Sequence, residues 1–178
     1  MPVGQFPPPD RDVPTDPPPT TFTDHHGRSI ALRRFGEGPV EDEFEALVAF
    51  YLDFPPADRS LGVPPVGEAR IRRWLETLAD ARCLLAWHED RPVGQAVLVD
   101  VEGSTAELAI FVGPAFQHAG VGTHLLGSLL AHGRETGVER VWLLVESENR
   151  PAVNLYLDFG FAVVRHRGLA LEMEVELA

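Results

Sequence analysis

The chain has 178 residues, 27 of them acidic and 15 basic, with a formal net charge of −12. Every basic residue is arginine, and the acidic surplus argues against a nucleic-acid binder, which needs a basic footprint. No apolar run approaches the ~20 residues of a membrane span, the start lacks a basic-then-apolar secretion signal, and a single cysteine, Cys83, excludes an internal disulfide and a cysteine-based zinc site.

The expectation is therefore one cytoplasmic globular domain with a substantial core and no metal. The acidic balance suits a cationic acceptor, and an acidic chain without lysine resembles proteins of halophiles. Residues 1–24 hold Pro7-Pro8-Pro9, Pro14 and Pro17-Pro18-Pro19, a composition that buries too little apolar surface to order itself. A flexible, partly polyproline-like tail is expected there, ahead of a folded domain over 25–178. The pair His25-His26 falls on the same solvated edge, with no nearby third ligand to suggest a metal.

Residues 29–35 alternate as a first strand. A helix from about residue 41 carries the stripe Phe44, Leu47, Val48, Tyr51 and stops at Pro55-Pro56. The long Pro- and Gly-rich loop over 53–66 has the length of a cleft-forming segment, and Asp53, Asp58 and Glu68 around it would attract a cation. A second helix over 68–78 repeats the stripe with Ile71, Trp74, Leu75 and Leu78. Strands over 83–88 and 93–99 flank a turn at Glu89-Asp90-Arg91-Pro92; Cys83 opens the first of them as a buried structural thiol.

The chain then reaches its most informative stretch, residues 106–122. An apolar strand ends at Gly113-Pro114, and a short loop leads into a helix whose Leu125, Leu126, Leu129 and Leu130 cover one face. Gly120 and Gly122 clear the backbone for close approach, and the unpaired N–H groups of the first helical turn favour an anion such as a phosphate. That helix closes at Gly137. Residues 141–145 form an apolar strand, Pro151 opens a short helix, and 161–164 and 169–177 give a last pair of strands. The whole reads as an α/β chain, β-α-α-β-β-β-α-β-α-β-β, with one mixed, mostly antiparallel twisted sheet of about seven strands and helices on both faces.

The segment Gln117-x-x-Gly120-x-Gly122 resembles the acyl-CoA signature of the GNAT N-acetyltransferase superfamily. A second segment, Asn149-Arg-Pro-Ala-Val-Asn-Leu-Tyr156-Leu-Asp-Phe-Gly160-Phe161, looks like that family's N-x-x-A-x-x-L-Y-x-x-x-G-F. Both stand at the separation and in the order of elements the resemblance requires. The implied activity is acyl transfer, most simply acetyl from acetyl-CoA, to an amine by direct attack through a tetrahedral intermediate. The implied acceptor is a small-molecule amine or a protein N-terminus, and homodimers are common among similar proteins. A catalytically silent acyl-CoA sensor or interaction module of the same fold is the alternative.

By the same resemblance the backbone of His118, Ala119, Gly120, Val121, Gly122 and Thr123, with Gln117, holds the CoA diphosphate. Pantetheine lies along a splayed strand at Ile110, Phe111 and Val112, where a free N–H near Val112 meets the thioester oxygen. His118 and Ala119 stand where many relatives carry Arg or Lys, so backbone amides or a protonated His118 must do that work. Asn149 either touches the cofactor or caps the short helix. Tyr156 is the expected general acid toward the CoA thiolate; Glu107 is the first and Glu146 the second candidate base, with Leu144 occupying the position of a catalytic Glu in some relatives.

Overall fold

Along residues 108–112 the side chains are apolar on both faces, which requires a sheet covered on both sides. The computed structural model describes residues 2–177. It contains β1 (Gly4–Gln5), β2 (Thr20–Thr23), β3 (Ser29–Arg34), α1 (Val40–Leu52), α2 (Glu68–Thr77), β4 (Arg82–His88), β5 (Arg91–Glu102) and β6 (Thr105–Val112). α3 (Val121–Glu135), β7 (Arg140–Glu146), α4 (Arg150–Asp158), β8 (Ala162–Arg167) and β9 (Ala170–Glu176) follow. The sheet order is β1-β9-β7-β6-β5-β4-β3-β2, with β8 also on β9. All pairings are antiparallel except β1 with β9 and β6 with β7.

Two cores lie on opposite faces of this sheet. Leu125, Leu126, Leu129 and Leu130 of α3 are fully buried on one face, together with Val153 of α4. Leu47, Val48 and Tyr51 of α1 pack with Ile71 and Leu75 of α2 on the other. The predicted stop of α3 is a full C-terminal motif: Gly137 is left-handed (φ 92), and Val138 N–H reaches Gly133 O at 2.9 Å. The turn at residue 89 is tighter than its sequence suggests, because Arg91 and Pro92 already belong to β5, with a register shift opposite Trp87. Among the described residues no helix is long and apolar enough to cross a membrane.

The N-terminal segment departs from expectation. It is not a free tail: β1 adds to β9, β2 forms a hairpin with β3, and Phe6 is buried beside Phe159 in the α3–α4 core. Its prolines lower the ordering cost by stiffening the chain, and Phe6 supplies the apolar burial that composition alone understates. The segment runs so close to α3 that a Cβ on Gly127 would meet Pro14 O at 1.8 Å. A Gly→Ala change inside a helix ordinarily gains about 1 kcal/mol. Gly127→Ala is instead expected to lower the Tm and open residues 2–19 to protease; a raised Tm with unchanged protease resistance would contradict this packing.

Candidate active site

β6 and β7 pair at only three positions, Thr105 with Arg140, Ala106 with Val141 and Glu107 with Trp142, and then separate. Beyond Glu107 the strand keeps only its β5 side, with residues 108–112 still paired there, and residues 113–114 end it. Gly113 N–H donates to Val93 O at 2.8 Å, turning toward β5, and Pro114 has no N–H to offer β7. Alternation along a strand then points the Val112 N–H the other way, into the opening. The result is a cleft of about 570 Å³, with Ile110, Phe111 and Val112 along one wall.

The loop from β6 to α3 closes one end of the cleft. Gln117 Nε2 donates to Val112 O at 3.0 Å, so its side chain ties the loop to the strand end instead of reaching outward. His118 (φ 56) and Gly120 (φ 91) are both left-handed, and each lines the cleft. Ala119 and Val121 are fully buried, which leaves them only backbone groups to present. The first helical bond of α3 runs from His124 N–H to Gly120 O, leaving the N–H groups of Val121, Gly122 and Thr123 outside the ladder. Gly122 faces Val112 and Leu155 across the cleft; a Cβ there would stand 3.8 and 3.7 Å from their methyl groups. Three free amides, the positive end of a fifteen-residue helix and no obstructing side chain make an anion site.

The opposite wall is the start of α4. Asn149 lines the cleft, and its Oδ1 accepts from Ala152 N–H at 3.4 Å, so it caps the helix. Tyr156 is not among the lining residues, whereas its neighbour Leu155 is; the tyrosine ring is 8% exposed and packs against Phe161. Burial pushes its phenol pKa above the ordinary value, which keeps it protonated. Sequence alone could not distinguish the inner from the cleft-facing side of so short a helix.

The carboxylates divide in the same way. Glu146, Glu148 and Asp58 line the cleft, but Glu107 does not. Glu107 stands four residue steps before Phe111, about 13 Å of extended chain, which is beyond direct proton transfer. Burial raises the Glu107 pKa. The loop after α1 closes the remaining side through Phe54 and Asp58, as its length suggested. Behind it the Phe111 ring is held edge-on by Tyr51 at 5.7 Å and Trp74 at 5.5 Å. Cys83 is buried, accepts from Gln95 Nε2 at 3.2 Å and has its thiol pKa pushed up to about 12 by burial, so it is structural. Among the described residues no group of three or more His, Cys, Asp or Glu could hold a metal ion.

Sequence reasoning missed the β2–β3 turn, which does not line the cleft but packs against the loop that does. His25 N–H donates to Ala119 O at 2.9 Å, and Phe22 stacks on His124 with ring centroids 3.8 Å apart. The Arg28 guanidinium pairs with buried Asp24, donates to Ala115 O at 2.9 Å and lies over the Phe116 ring. The available signal was the run of β-branched and aromatic residues Thr20-Thr21-Phe22-Thr23 before a turn with Gly27, a hairpin pattern.

The profile of the acetyltransferase (GNAT) family matches residues 44–161. An uncharacterised N-acetyltransferase of Mycobacterium bovis is 32% identical over 129 residues, covering 68% of this chain and 83% of that protein. The crystal structure of the GNAT domain of S. lividans PAT superposes with a TM-score of 0.75 at 20% identity, over 89% of this chain and 96% of that one. The structure of yncA from Salmonella typhimurium with its cofactor acetyl-CoA superposes at 0.64 and 22% identity, over 84% and 94%. Profile, sequence and architecture agree: the chain belongs to the GNAT family of acetyltransferases.

Proposed function

We propose that this protein transfers the acetyl group of acetyl-CoA to the primary amine of a small cationic molecule. The observation that carries this reading is the placement of the free N–H groups of α3 and the inward N–H of Val112 on one cleft. A CoA diphosphate on the helix would send its pantetheine along Ile110, Phe111 and Val112, toward the opening between β6 and β7. No metal takes part in this scheme. Asp58, Glu146 and Glu148 line the same cleft and favour a positively charged acceptor over an acidic one.

The neutral amine attacks the thioester carbonyl, and the Val112 N–H receives the developing oxyanion, a contact worth about 3 kcal/mol. Collapse breaks the C–S bond and the CoA thiolate leaves largely unaided; Tyr156, the neighbour of the cleft-lining Leu155, is the assigned donor of its proton and is reprotonated from water. The proton lost by the amine goes to Glu146, the candidate base in the cleft lining, of which Glu107 is not a part. Glu146→Gln is expected to lower kcat/KM about a hundredfold. Glu107 acts as a base only when ionised, so its raised pKa places any rate loss on the acid side of the profile. Glu107→Gln should remove that acid limb at most. A pH–rate profile in which Glu107→Gln is the more damaging change would reverse the assignment. The function itself is tested by thiol release from acetyl-CoA across polyamines, aminoglycoside-like amines, amino acids and a peptide with a free N-terminus. Turnover confined to the peptide would overturn the acceptor class, and no turnover with any amine would overturn the reading.

A further inference from the structure

A diphosphate diester carries two negative charges, and the N-terminal end of a helix offers only about half a positive one. The segment 113–124 contains neither Arg nor Lys. The structure brings an imidazole from elsewhere in the chain up to the cleft-lining Gly120, although that imidazole is not itself part of the lining. His25, on the β2–β3 turn, presses on the helix cap so closely that a Cβ on Gly120 would lie 2.9 Å from its Nε2. Its main chain is fixed there by the 2.9 Å bond to Ala119 O, and the turn is pinned by Asp24, which accepts from the backbone of His26 and Arg28 and from the Arg28 guanidinium.

We propose that His25 is a cofactor-binding residue whose protonated imidazole supplies positive charge to the diphosphate held at the N-terminus of α3. The inference rests on the acetyl-CoA reading above. The charged and titratable groups around His25 are accounted for element by element. On its own turn, Asp24 is engaged by Arg28, and His26 is exposed. On the loop, His118 lines the cleft. On α3, His124 has Nδ1 against Gly120 O at 3.0 Å and its ring on Phe22. Across the cleft, Arg59 is bonded through Nε to Pro64 O. His25 is exposed, so its ring is open to solvent and to a ligand at the helix cap.

Dephospho-CoA is the probe, because it keeps the diphosphate and lacks the 3′-phosphate, whose own charge changes near pH 6. Its affinity for the wild-type chain is measured by calorimetry at pH 6 and pH 8, beside His25→Gln, His25→Arg and His118→Gln. A unit charge within a few ångströms of the phosphate at a solvated site changes affinity about four- to tenfold, and a histidine gains that charge as the pH falls across this range. The wild type should bind about that much more tightly at pH 6; His25→Gln should lose most of the difference, and His25→Arg should bind tightly at both pH values. A His25→Gln protein that follows the wild type at both pH values overturns the inference, as does a pH effect abolished by His118→Gln alone. If the wild type binds neither dephospho-CoA nor CoA at either pH, the acetyl-CoA reading fails, and this inference fails with it.

Discussion

Gly122→Trp is expected to abolish acetyl-CoA binding while the fold stands. Gly122 lies in the first turn of α3, facing Val112 on one wall and Leu155 on the other. A bare Cβ fits there at ordinary contact distances, 3.7 Å to Leu155 and 3.8 Å to Val112, so Gly122→Ala should fold as well as the parent. An indole on the same Cβ has only the cleft to occupy, and it covers the amides of Gly122 and Thr123. The expected loss is at least a hundredfold in Kd, about 3 kcal/mol. Calorimetry with acetyl-CoA on wild type, Gly122→Ala and Gly122→Trp, alongside their melting curves, checks it. Retained affinity in a folded Gly122→Trp protein would place the cofactor elsewhere.

Tyr156→Phe removes one oxygen from a buried ring and leaves its packing against Phe161 intact. Stability and acetyl-CoA affinity should therefore change little. Turnover should fall about ten- to a hundredfold, at or below the lower end of the range for a positioned acid, because a thiol with a pKa near ~8.5 leaves readily unaided. The phenol pKa is raised by burial, so the donor stays protonated through neutral pH and the defect should be flat across pH 6 to 9. Steady-state kcat and KM for acetyl-CoA over that range separate the outcomes. An unchanged kcat would make Tyr156 a packing residue only, in keeping with its absence from the cleft lining.

How much of this was legible in the chain follows from how local each signal is. The leucines of α3, the glycine that ends it and the break at Gly113-Pro114 are short-range patterns with a direct structural cost, and each appears in the structure where its residues predict. The end of β6 is written in that same dipeptide, whereas its parting from β7, which begins after Glu107, has no such local signal. The N-terminal segment was misread because its order comes from partners far along the chain. β1 adds to β9 from the other end of the sequence, and Phe6 finds Phe159. A composition rich in Pro, Asp and Thr shows neither. The roles of Tyr156 and Glu107 were drawn from position in an element, but whether a side chain meets a cleft depends on depth and on which strand curls away. Gln117 lies at a motif position, yet its amide is spent on Val112 O.

The central claim is that the amides opening α3 hold the CoA diphosphate. A titration of the ¹⁵N-labelled chain with CoA, followed by amide NMR, addresses it directly. The N–H resonances of Val121, Gly122 and Thr123 should move first and furthest, with Val112 joining them when acetyl-CoA replaces CoA. Shifts centred on another part of the surface, with these four amides unmoved at saturation, would contradict the account.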